Sequence, residues 1–225
     1  MIAGMETKIT DWPEFRWISR TIFDRIDTAS SFAGRRESFQ TYHIDVPTPR
    51  GQRAVIVRSA LVNDRDAILR VHADAIRRGA STRYSPQEIE AWVAFPAPEG
   101  HEAELRSGHV FVAEEGGQIV GYGRFDTDSG EVEATYVLPE AQGRGVGRAL
   151  LAEAEARARR AGFDVICVSA SLNAIAFYQR AGFEPQVRRF YDLPGGLHLE
   201  CMFMLKRLHA PSSGMRAGRR HAPAA

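Results

Sequence analysis

Cysteine is nearly missing: 225 residues carry only Cys167 and Cys201, each inside an apolar run of strand-like pattern. Buried small hydrophobes explain them more simply than a disulfide, a metal site or a nucleophile, and a reducing cytoplasm fits that usage. No apolar stretch approaches the ~18 residues that a membrane helix needs. Nor does the N-terminus show a basic region, an apolar run and a cleavage site in succession. A transit peptide is disfavoured as well, since Glu6, Asp11, Glu14, Asp24 and Asp27 are scattered through a segment that would have to be acid-poor. These absences predict a soluble, cytoplasmic protein with no membrane partner. Charge of one sign is also missing. The 29 Lys and Arg face 28 Asp and Glu, for a net charge of +1. That balance lacks the basic footprint of a nucleic-acid binder, although the tail from Lys206 onward is locally basic. His, Cys and carboxylates form no cluster at metal-ligand spacing, so no metal is expected, and no segment repeats.

What is present suits one globular domain with accessories, at 44% hydrophobic content. Residues 1–53 read as an N-terminal extension. Asp11, Pro13 and Glu14 look like a helix start, and Phe15, Ile18, Ile22 and Ile26 share one helical face. That segment is either a contact for a partner or a homodimer, or else a helix packed on its own domain or a poorly ordered extension; from Thr28 to Arg53 the composition is that of a linker. The Ala, Pro, Gly, Ser and Arg content of 209–225 predicts a disordered tail.

Between them, residues 54–208 alternate regularly. A strand at 54–57 precedes a helix capped by Asn63 or Asp64 and running to about Arg78, and a second helix follows Ser85-Pro86 to about Phe95. After a Pro-rich interruption, where a short helix at 102–107 is an option, strands are expected at 109–114, 118–125 and 131–138. Glu115-Gly116-Gly117 supplies hairpin chemistry between the first two. A helix at 146–160 stops at Gly162, a strand occupies 165–168, and Ser171 caps a helix that stops at Gly182. Strands near 183–191 and 199–205 close the domain.

The most informative segment is Gln142-Gly143-Arg144-Gly145-Val146-Gly147, between the strand ending at Val137-Leu138-Pro139 and the helix opening at Arg148. Amides at a helix N-terminus have no intrahelical partners and sit at the positive end of the helix dipole, so the loop reads as a cradle for a pyrophosphate. Glycines let the main chain approach closely, and Arg144 and Arg148 add positive charge at the rim. A dinucleotide motif begun at Gly143 would require glycine where Arg148 stands, and the Gly-Lys-Ser/Thr of an ATPase loop never occurs.

Two motifs carry a family resemblance. Gln142-x-x-Gly145-x-Gly147 follows Val137-x-Pro139, and Ser171-Leu172-Asn173-Ala174-Ile175-Ala176-Phe177-Tyr178-Gln179-Arg180-Ala181-Gly182-Phe183 follows about thirty residues later. From about Ala54 to Leu208 the chain resembles the GNAT superfamily of N-acetyltransferases. The resemblance implies an α/β fold, with a mixed, mostly antiparallel sheet of six to seven strands flanked by about four helices and splayed at the fourth strand. It also implies acetyl-CoA as co-substrate and an amine, small-molecule or peptide, as acceptor. Main-chain amides of Gln142, Gly143, Arg144, Gly145, Val146, Gly147 and Arg148 would then bind the pyrophosphate. Val137 and Leu138, at a bulge in their strand, would bind the acetyl carbonyl and the pantetheine arm, and Asn173 would contact the pantetheine or pyrophosphate region.

Acetyl transfer to an amine needs an uncharged nucleophile, stabilisation of a developing oxyanion and a proton for the leaving thiolate. Tyr178 is the candidate acid, against the simpler reading of an aromatic packed beside Ile175; Asn173 has ordinary capping as its simpler reading. Glu131 and Glu133 lie two apart on one strand face, opposite Val132 and Ala134, and are candidate bases, Glu133 first. A solvated strand entrance is the alternative for Glu131. Arg124, Asp126, His72, His109 and His198 are given no role. The competing functional class is a CoA-binding regulatory or interaction module that has lost catalysis.

Overall fold

The computed structural model describes residues 54–94, 98–193 and 195–208; the helix expected within 1–53, the linker and the tail lie outside the described residues. The elements are β1 (Val55–Ser59), α1 (Arg65–Gly79), α2 (Pro86–Val93), α3 (Pro98–Ser107), β2 (Val110–Glu115), β3 (Gln118–Asp126) and β4 (Glu131–Val137). They are followed by α4 (Val146–Arg160), β5 (Val165–Ser171), α5 (Ile175–Arg180), β6 (Glu184–Leu193) and β7 (Leu197–Arg207). The seven strands form one sheet in the order β1-β2-β3-β4-β5-β7-β6, antiparallel throughout except between β4 and β5. The α/β fold expected from the sequence is the one observed, with five α-helices among the described residues because α3 forms over more than the optional short piece. No helix among the described residues is long and apolar enough to cross a membrane.

Local chemistry explains most of the boundaries. Ser85 caps α2, accepting from the Glu88 N–H while the Glu88 carboxylate reaches back to the Ser85 N–H at 2.7 Å, a reciprocal capping box. Gly116 and Gly117, at φ 59° and 79°, make the two-residue turn between β2 and β3. Helix α4 ends where Gly162 turns left-handed and the Phe163 N–H returns to the Ala158 carbonyl at 2.9 Å; α5 ends the same way, with Phe183 returning to Tyr178. Most of the largest fully buried side chains, among them Ile68, Phe111, Phe125, Leu150 and Met204, belong to one core cluster drawn from both helices and sheet, while Ile76 belongs to a second with Tyr84, Ile89 and Leu199.

Three boundaries differ from expectation. Asp64 does not cap α1 with its side chain; its carboxylate takes a bidentate pair from Arg58 at 2.7 and 3.1 Å and the Leu61 N–H at 2.7 Å. Ser171 is the last residue of β5, opposite Cys201, so its backbone is strand and α5 begins only at Ile175. The bulge in β4 falls at Glu133 rather than at Val137 and Leu138: Phe125 faces Val132 and Arg124 faces Ala134, leaving Glu133 as the extra residue. Cross-strand partners share a face, so Ala134 and Tyr136 lie with Arg124 and Tyr122, and Ala134 is not turned away from that side as simple alternation required.

Candidate active site

Strands β4 and β5 meet at a single register pair, Glu131 with Cys167, where the Cys167 N–H bonds to the Gly130 carbonyl at 3.1 Å. Beyond it the strands part, and a crevice opens between the C-terminal half of β4, β5, and the start of α4. The Leu138 N–H bonds to Val120 on β3 at 2.9 Å, so ladder alternation sends the peptide groups of Val137 to the other side, into the crevice. The Val137 carbonyl there accepts from Gln142 Nε2 at 3.3 Å, which ties the glycine loop to the strand end.

The first intrahelical bond at the start of α4 runs from Ala149 to Gly145 at 2.9 Å, so the amides of Val146, Gly147 and Arg148 precede it. Gly143 and Gly145 have φ of 74° and 87°, and a Cβ on either would meet nothing within 4 Å. Their glycines serve backbone conformation. Gly147 serves space: a Cβ there would lie 3.2 Å from the Phe177 ring and 3.7 Å from Val137. An open, amide-lined turn of this kind fits a pyrophosphate. The rim charge is less simple than the sequence suggested, because Arg144 is engaged by Glu115 at 2.9 Å while Arg148 is exposed.

Tyr178 is 5% exposed, its ring edge-on between Phe177 and Phe183 at 5.0 and 5.3 Å. Both neighbours follow from the sequence, Phe183 being folded back by the glycine stop of α5. Burial pushes the phenol up to about 12, partly opposed by a hydrogen bond with Thr135 on β4. Tyr178 is thus a core aromatic that keeps its proton at neutral pH. Asn173 is exposed in the turn before α5, whose N-cap is Ala174 with no side-chain cap, so ordinary capping is not its role.

Glu131 and Glu133 share the Arg124 face but differ in company. Burial raises the Glu131 carboxyl, while Ser169 Oγ at 3.1 Å and the Tyr191 hydroxyl at 3.4 Å donate to it. Burial raises Glu133 to about 7, with Arg124 opposing and the carboxylates of Asp126, Glu131 and Glu104 assisting. Arg124 Nε stands 2.9 Å from Glu133 Oε2, yet both atoms are buried without a hydrogen bond: the contact is ionic, with the N–H aimed elsewhere. On the same face lies an aromatic wall that periodicity alone did not single out. Tyr122 and Tyr136 stack at 5.2 Å, Trp92 meets Tyr136 edge-on at 6.3 Å, and His72 Nδ1 lies 2.9 Å from the Tyr122 hydroxyl. Tyr84, also missed, donates to the Glu200 carbonyl at 2.6 Å and accepts from the Leu172 N–H at 2.8 Å. It thereby joins β7 to the turn before α5. Asp126 accepts within its own turn from the Asp128 N–H and Ser129, and His198 pairs with Asp192 at 2.7 Å.

Comparison with known proteins gives this arrangement a family. By structure the chain is similar to a GCN5-related N-acetyltransferase from Rhodopseudomonas palustris, 27% identical, with a TM-score of 0.64 over 74% of this chain and 100% of that one. It shares its fold with the PaiA N-acetyltransferase from Thermoplasma acidophilum in complex with coenzyme A, 19% identical, with a TM-score of 0.58 over 68% and 99% of the two chains. Residues 80–193, from the end of α1 to the end of β6, match the family model described as the acetyltransferase (GNAT) domain, and the chain belongs to the GNAT superfamily of acetyltransferases.

Proposed function

We propose that this protein moves an acetyl group from acetyl-CoA to a primary amine by direct attack. The observation that carries the proposal is the crevice where β4 leaves β5, with the Val137 amide facing into it and the α4 amides at its end. The co-substrate supplies an acyl group activated as a thioester. The amides of Gly143 to Arg148 hold its pyrophosphate, with Asn173 beside it. The contacts expected from the Gln142 amide and from Leu138 are corrected, because the Gln142 N–H is bonded to the Pro139 carbonyl at 3.2 Å and the Leu138 N–H and carbonyl are taken by Val120 and Ala141. The Val137 N–H receives the negative charge that develops on the acetyl oxygen. Glu133, raised by burial to about 7, takes a proton from the acceptor ammonium, and Glu131 helps to raise it. Tyr178 returns a proton to the departing thiolate. The raised thiols of Cys167 and Cys201, pushed by burial to about 12 and about 11, support direct transfer over a covalent acetyl-enzyme.

The test is release of free thiol from acetyl-CoA by the purified chain, across a panel of amino acids, polyamines, aminoglycosides and short peptides. Release with one acceptor class is the expected result and names the substrate. Tight acetyl-CoA binding with silence across the panel would favour a CoA-binding module without catalysis.

A further inference from the structure

We infer that Arg124 is a shared counter-ion whose movement between Glu133 on β4 and Glu104 on α3 frees Glu133 to meet the incoming ammonium. It acts as a positioning residue for the acetyl transfer proposed above, and the inference rests on Glu133 being the base of that reaction.

Arg124 touches both carboxylates, at 2.9 Å to Glu133 and 3.5 Å to Glu104, and its Nε, though buried, makes no hydrogen bond. Two other half-buried arginines, Arg58 and Arg157, behave differently, whereas Arg189 shares the buried Nε without a hydrogen bond. Arg58 between Asp64 and Glu114 makes directed bonds to both, at 2.7, 3.1 and 3.0 Å. Arg157 donates to Glu153, the Gly108 carbonyl and Ser59 Oγ at 2.8, 2.6 and 3.2 Å. Those guanidinium groups are locked by their forks. Arg124 holds its partners by charge alone, so a small rotation exchanges one for the other at little cost in bonds.

The β4 bulge produces this competition. Without the extra residue Arg124 would face only Ala134; with it, Glu133 arrives on the Arg124 side. The other groups around Glu133 are committed elsewhere: Asp126 of β3 to its own turn, and Glu131 of β4 to Ser169 and Tyr191. The Cys167 thiol of β5 is pushed up to about 12 by burial, and His72 of α1 is turned to Tyr122. Among the described residues only Glu104 is placed to take Arg124 over. An approaching ammonium repels Arg124 and is attracted by Glu133. Arg124 then moves onto Glu104, the ammonium gives its proton to Glu133, and the neutral amine attacks. The proton leaves Glu133 for solvent as Arg124 returns.

The experiment is the pH profile of kcat/KM for thiol release in wild type, Arg124→Gln, Arg124→Lys, Glu104→Gln and Glu133→Gln, with thermal melts confirming the fold. Removing the opposite charge in Arg124→Gln should move the acid limb upward by about one pH unit. Removing the rival carboxylate in Glu104→Gln should move it downward, since Arg124 then stays on Glu133. Arg124→Lys should restore the limb toward wild type. Two variants moving the limb in the same direction, or either leaving it in place, overturns the inference. If Arg124→Gln does not fold, an unmoved or upward-shifted limb in Glu104→Gln still overturns the inference. Persistence of the limb in Glu133→Gln would instead overturn the base assignment, an outcome separate from the failure of Arg124.

Discussion

Replacing Gly145 with alanine tests the pyrophosphate cradle at its most constrained point. At φ 87° with nothing within 4 Å of the new methyl group, the substitution introduces no clash; its whole effect is the cost of holding an L-residue in the left-handed region. That cost is about 1–2 kcal/mol. It can emerge in either of two places. If the turn keeps its shape, the folded protein is destabilised and the melting temperature falls. If the turn relaxes, the amides of Val146 and Gly147 swing away, stability is kept, and ligand binding must restore the strained form. The losses in folding stability and in CoA binding energy should therefore add to about 1–2 kcal/mol, equivalent to a factor of roughly 5 to 30 when all of it falls on binding. Calorimetric titration with CoA, beside denaturant unfolding of the free protein, measures both. Gly145→Asn should lose less than Gly145→Ala, because asparagine tolerates this conformation. Unchanged stability together with unchanged affinity in Gly145→Ala would refute the argument, as would asparagine faring worse than alanine.

Tyr178→Phe removes only a hydroxyl from a ring fixed between Phe177 and Phe183, so CoA affinity should hold while turnover falls at least about tenfold; equal turnover in the two proteins would dismiss Tyr178 as the acid. Glu133 gives a prediction for stability. Its carboxyl rises from 4.5 to about 7 on folding, so between those values the native state binds more protons than the unfolded one, and stability falls as pH climbs through the window. Glu133→Gln should therefore gain melting temperature relative to wild type on going from pH 5 to pH 8, and a difference that does not change with pH would contradict the burial argument.

Where a boundary depends on residues close in the chain, the sequence was legible. The Ser85 capping box, the Gly116-Gly117 turn and the glycine stops at Gly162 and Gly182 lie where local chemistry puts them. The glycine loop is legible for the same reason, since the missing amide partners of a helix N-terminus are a property of the helix itself. Asp64 misled because Arg58, six residues away, offers its carboxylate a bidentate pair that capping cannot match. Ser171 misled because its neighbour Cys201, thirty residues on, keeps it in the sheet. The bulge at Glu133 is set by register against β3, which no window on β4 alone contains. The shared face of Glu131 and Glu133 was therefore readable, but the presence of Ala134 and Arg124 on that face was not. Arg144 belongs to the same class, its charge being drawn toward Glu115 of a strand distant in sequence.

The parting of β4 and β5 after one register pair gives the sheet an inner pair of edges that face each other. Exposed strand edges invite other strands, and proteins usually blunt them with charge or twist. Here the two edges face each other, and the gap closes at Glu131 and Cys167. An extended ligand presenting acceptors at a repeat of about 6.8 Å would match the spacing with which alternate amides of β4 look inward. A ligand of that form would pair with these amides as an eighth strand would.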